Sequence, residues 1–218
     1  MSTTTDDLEP TVRKRTQKIR ALVEDAELVA ANRRHLVDTT TNLLRKKGYH
    51  NTSTRDIAQA AGMSVGAIYQ YIQHKEDIMV LILQAVIEVY EERFYPLAET
   101  GRPARERLWQ AIGSYYRTLD EHHAKTDVLY HQFSALGAQT KKNFAQLEEK
   151  VHGIMKSILD QGVAEGDFVP VDTYLVAHNI VSLGHMWALK RGRFRNLLTI
   201  DQYIDQQQRY LEKVLIRN

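Results

Sequence analysis

The sequence predicts an all-α fold, and three observations carry that prediction. Apolar residues recur at intervals of three and four along most of the chain, the spacing that lines one side of a helix. With 11 glycines and 4 prolines in 218 residues, the chain lacks the punctuation that many short strands joined by tight turns require. Much of what it has falls between periodic segments, at Gly48, Gly62, Pro96, Gly101, Pro103, Gly137, Gly166 and Pro170, where helices end. The composition, 43% hydrophobic and 26% charged, is that of a globular protein long enough for one or two small domains with a core.

Residues 1–31 read as a basic arm. Arg13, Lys14, Arg15, Lys18 and Arg20 stand close together with no acid between Thr11 and Arg20, and Glu24, Asp25 and Glu27 follow. Ile19, Leu22, Val23, Ala26 and Ala30 fall at helical spacing, so the arm is read as able to form an extra helix. Residues 32–78 form a second unit. Asn32 is a candidate N-cap for a helix carrying Leu36, Val37, Thr40, Leu43 and Leu44, which Gly48 stops. A short helix starts near Thr54 with Ile57, Ala58 and Ala61 inward and ends at Gly62. Ser64 caps a third, running through Ile68 to Tyr71. A fourth opens after His74, Lys75 and Glu76, and its apolar stretch over 78–89 implies packing on more than one side.

Residues 79–218 complete the chain. Helices are expected over 105–122, 127–136, 141–164, 171–190 and 201–216, with Leu108, Ile112, Tyr115, Tyr116 and Leu119 on the first and Phe144, Leu147, Val151, Met155 and Ile158 on the third. The last two are expected to pair a dimer through Val176, Ile180, Leu183, Gly184 and Trp187 on one and Tyr203, Ile204, Leu211 and Leu215 on the other.

The exclusions are broad. There are no cysteines, which removes thiolate catalysis and cysteine-held zinc. The apolar run 78–83 is far shorter than the roughly 20 residues of a membrane span. The polar start MSTTTDDLEP is unlike a signal peptide, so a cytoplasmic protein without a membrane partner is expected. The net charge of +2 is too small to indicate nucleic acid by itself. No phosphate-binding glycine loop, nucleophile elbow or HExxH motif is present, so neither an enzyme nor a cofactor is expected. His178 and His185 are seven apart, unlike the i, i+4 spacing of a helical zinc pair, and no metal is expected.

Two short helices joined at Ala61-Gly62-Met63 suit a helix-turn-helix, in which the second helix enters a major groove. Ala58 is small at the crossing, Gly62 tolerates positive φ, Met63 or Ile68 plugs the angle, and Ser64 caps the inserted helix. From Leu36 to Ile78 the residues match a family pattern. Gly48-Tyr49, Thr52, Thr54-Arg55-Asp56-Ile57-Ala58, Ala61-Gly62-Met63-Ser64, Gly66-Ala67-Ile68-Tyr69, Tyr71 and Lys75-Glu76-Asp77 resemble the DNA-binding domain of the tetracycline-repressor (TetR) family. The resemblance implies a homodimeric repressor released from DNA by a small ligand, with a three-helix head and a helical regulatory body. The remaining two thirds resemble the family only in length and helical layout, and the long arm departs from its pattern.

By that resemblance Thr54, Tyr69 and Lys75 contact phosphates, which suits two helix N-termini and a phenolic donor. Ser64, Val65, Gly66, Ala67, Gln70 and Tyr71 would face the bases. This set lacks arginine and lysine, so it favours A·T steps, with Arg55 the nearest candidate for a guanine. Arg33 and Arg34 are further backbone candidates, the arm is a candidate for extra phosphate or minor-groove contact, and the operator is expected to be a near-palindrome.

In the body, Tyr116, Tyr130, His131, Tyr174, His178 and His185 are candidate ligand contacts, suiting an apolar pocket with a few polar handles. The inward faces show few acids, so a bulky apolar effector such as an acyl-CoA is favoured over a lipophilic cation, which a multidrug-type sensor would bind. Lys190, Arg191, Arg193 and Arg195 are placed to hold coenzyme A phosphates.

Overall fold

The computed structural model describes residues 19–99 and 101–216, and within them every regular element is helical. The basic cluster over 13–18 lies outside the described residues. In chain order the helices are α1 (Ala26–Lys47), α2 (Thr54–Ala61), α3 (Val65–Ile68), α4 (Asp77–Arg93), α5 (Ala104–Glu121), α6 (His123–His131), α7 (Ala138–Glu165), α8 (Thr173–Leu189), α9 (Arg191–Phe194) and α10 (Ile200–Leu215). Short 3₁₀ turns follow α4 and α6.

Helix α1 begins six residues before the expected Asn32. Asp25 is the N-cap, its carboxylate accepting from the N–H groups of Glu27 and Leu28 at 3.0 Å, while Asn32 sits inside the helix and donates to the Leu28 carbonyl. Residues 26–31 therefore belong to the head, and 19–25 form no helix. Ser53 and Asp56 close a capping box at α2. Gly62 ends α2 at φ 64°, ψ 28°, as the turn requires. The Ser64 hydroxyl then accepts from the Ala67 N–H at 3.0 Å to start α3.

Helix α3 is shorter than its periodicity suggests. After Ile68 the chain tightens into successive turns that carry Tyr71 and Ile72 into the core. Ile68, fully buried, plugs the head against Leu36, Ile57 and Ala58, while Met63 is only partly buried. Helix α4 leaves the head buried over six consecutive residues, Ile78 to Leu83, as expected of a helix packed on more than one side.

Helices α5, α6, α7, α8 and α10 surround a second core. His152 of α7 lies against Tyr174 of α8, and Glu148 shares a hydrogen-bond network with His185, so α7 and α8 run antiparallel. Tyr116 donates to the Ile180 carbonyl at 2.9 Å and Tyr203 to the Leu183 carbonyl at 3.0 Å, stitching α8 to its neighbours.

This packing corrects the expected dimer face. Ile180, Trp187, Tyr203, Ile204, Leu211 and Leu215 are all buried inside the single chain, because α8 turns their side toward α5 and α10. Gly184 likewise faces inward: a Cβ there would lie 2.8 Å from a Tyr116 ring carbon and 2.9 Å from Leu119 and Tyr115. A Gly184→Ala change therefore overpacks this core, and urea unfolding should show a loss of about 1–3 kcal/mol. Unchanged stability with altered self-association would instead put Gly184 at an interface.

Candidate functional site

Two places gather the candidate residues. The first is the outer side of α2 and α3. Ser64, Val65, Gly66, Tyr69 and Gln70 are exposed and Ala67 is half-exposed, giving a short apolar and amide-bearing face. Tyr69 is 41% exposed, and its hydroxyl lies 3.5 Å from that of Thr54. The two expected phosphate contacts thus converge at the N-terminus of α2, where free N–H groups favour an anion. Arg55 beside them is exposed and has no ion pair among the described residues.

Three other expected DNA contacts hold the head together. Tyr71 is 6% exposed, so its ring packs in the core and does not face a groove. Arg33 donates from Nε and Nη2 to the Tyr71 carbonyl at 3.1 and 2.9 Å, and from Nη2 to the Ile19 carbonyl at 2.8 Å. With the Leu22 N–H donating to the Gln70 carbonyl at 2.8 Å, the end of the arm is tied behind α3. Lys75 donates to the carbonyls of Tyr49 and Thr52 at 2.9 and 2.8 Å and lies over the Tyr49 ring. It braces the loop ahead of α2. Arg34 is exposed and lines a groove of about 960 Å³ between α1 and α4. Buried Asp77, which the motif alone did not explain, accepts from the N–H groups of Gln73 and His74 at 2.8 and 2.9 Å. It thereby fixes the turn that follows α3.

The second place lies among α4 to α8. An inner cavity of about 20 Å³, room for roughly one water molecule, is walled by Val86, Tyr90, Tyr115, Leu119, Leu129, Phe144, Leu147 and Val151. An outer cleft of about 560 Å³ between α7 and α8 is lined by Ala145, Glu149, His152, Tyr174, His178, Ser182, Met186 and Leu189, among others. Tyr130, Glu148 and His185 border both spaces.

These three are hydrogen-bonded. Tyr130 pairs with Glu148, its oxygen lies 2.8 Å from His185 Nδ1, and Tyr115 Oη lies 2.8 Å from His185 Nε2. An ionised Glu148 only accepts, so Tyr130 donates to it, His185 Nδ1–H donates to Tyr130, and Tyr115 donates to Nε2. Burial pushes His185 down to about 4, which keeps the ring neutral as this chain requires. Burial also pushes the Glu148 carboxyl above the usual carboxylate range, against the pull of the Tyr130 hydrogen bond.

Of the six expected ligand contacts, Tyr130, Tyr174, His178 and His185 line these spaces and two do not. Tyr116 is buried elsewhere, its hydroxyl satisfied by Ile180, and His131 is exposed, bonded to its own helix and paired with Asp127. Arg191 is also committed, donating to Asp120 at 2.7 Å beside the Trp187 indole N–H at 2.9 Å. Burial raises the Asp120 carboxyl, but these donors outweigh it and hold the group below the usual range. Glu148 was missed: it is an acid on an inward face, where few were expected. It sits on the stripe Phe144, Glu148, Val151, Met155, and that spacing was its signal.

Helix α6 joins the two places. It carries Tyr130 at the cavity, while Asp127 accepts from Arg45 at 3.0 Å and Lys125 donates to Asp38 at 3.0 Å. Gln132, capping its end, accepts from the Tyr49 N–H at 3.0 Å. All three partners belong to α1 or the loop after it.

A short helix-turn-helix on a three-helix head, clamped to a separate helical body with an internal cavity, defines a two-part, all-helical DNA-binding protein. Residues 36–82 match the model of the bacterial regulatory proteins of the tetR family, and residues 101–207 match that of the tetracyclin repressor-like C-terminal domain. The chain belongs to the TetR family of DNA-binding transcriptional repressors. It is 28% identical over 190 residues to the HTH-type transcriptional regulator HbdR of Aromatoleum sp. (strain CIB), spanning 87% of this chain and 83% of that protein. Its fold is shared by KstR2, the ketosteroid transcriptional regulator of Mycobacterium tuberculosis, with a TM-score of 0.75 at 20% identity over 91% of this chain and 99% of the other. AibR, solved in complex with isovaleryl coenzyme A and operator DNA, also shares it, with a TM-score of 0.72 at 21% identity over 84% and 97%. Among the described residues no helix is long and apolar enough to cross a membrane.

The His185 site predicts a pH dependence of stability. An unfolded histidine titrates near 6.5 and the folded ring near 4, so between those values the unfolded chain binds the proton and the folded chain does not. The contribution is complete above about 6.5 and is lost as pH falls toward about 4, on the order of 3 kcal/mol. Urea unfolding of wild type and His185→Gln across that interval should show the steeper acid loss in wild type only. Parallel curves would contradict a buried neutral His185.

Proposed function

We propose that this chain is a homodimeric cytoplasmic repressor that binds a near-palindromic operator through α2 and α3 and leaves it when a small apolar effector occupies the body. The convergence of the Thr54 and Tyr69 hydroxyls beside the exposed face of α3 carries the DNA reading. Thr54, Tyr69 and Arg55 serve the phosphates, and Gln70 with the Val65 and Ala67 methyls reads A·T-rich steps. The tether fixes the arm's end to the DNA-binding head, which supports a backbone role for exposed Arg20 and the cations before it.

For the dimer, α8 offers Leu175, Asn179, Leu183 and Met186 on one outward stripe, and α10 offers Tyr210 and Val214. Pairing these with their two-fold copies forms a four-helix interface that leaves the inner core intact.

The effector reading rests on the cleft and cavity. Exposed Lys142 precedes Ala145 by one turn, and exposed Lys190 and Arg193 follow Leu189, so the cleft ends beside cations suited to phosphates. With the isovaleryl coenzyme A bound to AibR, this supports an acyl-CoA. A second reading, a lipophilic cation, is favoured by Glu148 among Tyr90, Tyr130 and Phe144. Release by occupancy is a population shift, and a hundredfold loss of operator affinity needs a coupling of about 2.7 kcal/mol.

Fluorescence anisotropy with the gene's own upstream DNA tests this, with acyl-CoAs, free acids and cationic dyes as competitors. Gln70→Ala should relax preference at one position in each half-site by about 1–3 kcal/mol. Tyr69→Phe should weaken binding to every sequence alike and leave the salt slope unchanged, because the hydroxyl carries no charge. Binding indifferent to both changes, or protection of one half-site only, would overturn the DNA reading.

A further inference from the structure

The inner cavity and the outer cleft share Tyr130, Glu148 and His185, which put a carboxyl and an imidazole into a mostly apolar wall. Tyr130 fills the neck between them. Its ring lies edge-on to Phe144 at 5.3 Å between centroids and 5.1 Å from the ring of His185, and its hydroxyl is held by Glu148 and His185. Aliphatic side chains would seal such a wall without a buried carboxyl to solvate. Room for one water molecule admits no acyl chain, but rotation of Tyr130 out of the neck adds the volume of its ring and joins the cavity to the cleft. Glu148 stays at the rim, where a carboxylate repels an incoming anion.

We propose that Tyr130, Glu148 and His185 form a gate through which an uncharged apolar tail passes from the α7–α8 cleft into the inner cavity, while the charged part of the same molecule remains in the cleft. This rests on the reading of the body as the effector domain. It assigns Tyr130 as the latch and Glu148 as the group that selects an uncharged tail over a free anion.

Two dyes that differ by one sulfonate test the gate on the full-length protein: N-phenyl-1-naphthylamine, which is neutral, and 1-anilinonaphthalene-8-sulfonate. The neutral dye should brighten on binding, and the anionic dye, whose sulfonate is peri to the anilino group and cannot stay in the cleft while the rings pass, should not. Ala145→Trp, at an exposed position in the cleft, should weaken the neutral dye about tenfold by blocking the route. Tyr130→Phe removes the latch and leaves the Glu148 carboxyl and His185 Nδ1 without their hydroxyl partner when closed, while Tyr115 still holds Nε2, so it should tighten the neutral dye about fivefold. Glu148→Gln should admit the sulfonate. Circular dichroism and operator binding on the same samples confirm the fold. Absence of binding by the neutral dye, equal binding of both dyes, or affinities unchanged by Ala145→Trp and Tyr130→Phe would overturn the gate. Isovaleryl coenzyme A in a parallel DNA-release assay separates the two readings. A gated dye with an inert thioester removes the effector class and keeps the gate. Release by the thioester that is equal in wild type and Ala145→Trp removes the gate and keeps the effector class.

Discussion

Helix α4 runs unbroken from Asp77, whose carboxylate fixes the turn behind the recognition helix, to Tyr90, whose ring lines the inner cavity. A helix of 17 residues is stiff over its length of about 25 Å, so the head cannot be re-aimed without moving the cavity wall. Helix α6 closes the loop: it borders the same cavity with Tyr130 and grips α1 with Asp127, Lys125 and Gln132. Head and cavity are therefore joined by two helices that pack on each other and share the cavity wall. On the function proposed above, a molecule that widens the cavity would shift these two helices, and with them the angle of the head.

The forces at the two ends differ in kind. The four-residue α3 is too short to persist alone. It is held by Ile68 in the core and by the carbonyls of Gln70 and Tyr71, fixed from behind by Leu22 and Arg33. Those bonds are satisfied within the head, while Val65, Gly66 and Gln70 stay exposed on its outer face. In the body the chain from Tyr115 through His185 and Tyr130 to Glu148 is a polar network in low dielectric, where an unmade bond costs more than a made one contributes. It resists partial opening, which favours two discrete arrangements over a continuum.

How much was legible in the sequence follows from the same physics. The caps Ser64 and Gly62, the plug Ile68 and the exposed Tyr69 are local signals, and local signals survive without tertiary knowledge. Tyr71, two residues on, was misread because a turn's phase cannot be carried forward once a helix ends after four residues. Helix α8 shows a different limit: apolar side chains such as Leu175, Ile180 and Met186 lie all around it, so periodicity alone cannot say which side meets its own chain and which a second copy. The structure puts Ile180 and Trp187 inside and Leu175 outside. Glu148 was readable as an acid on an apolar stripe, but its hydrogen-bond partner Tyr130 comes from another helix.

The central claim is that the head senses the body through the grip of α6 on α1. The direct measurement is an Asp127→Ala, Gln132→Ala double variant, tested side by side with wild type for dye or acyl-CoA binding and for release of operator DNA. Ligand affinity should stay within about twofold while the ligand's effect on DNA affinity falls from about a hundredfold to less than about tenfold. Release that remains as complete as in wild type, at equal ligand occupancy, would contradict the account.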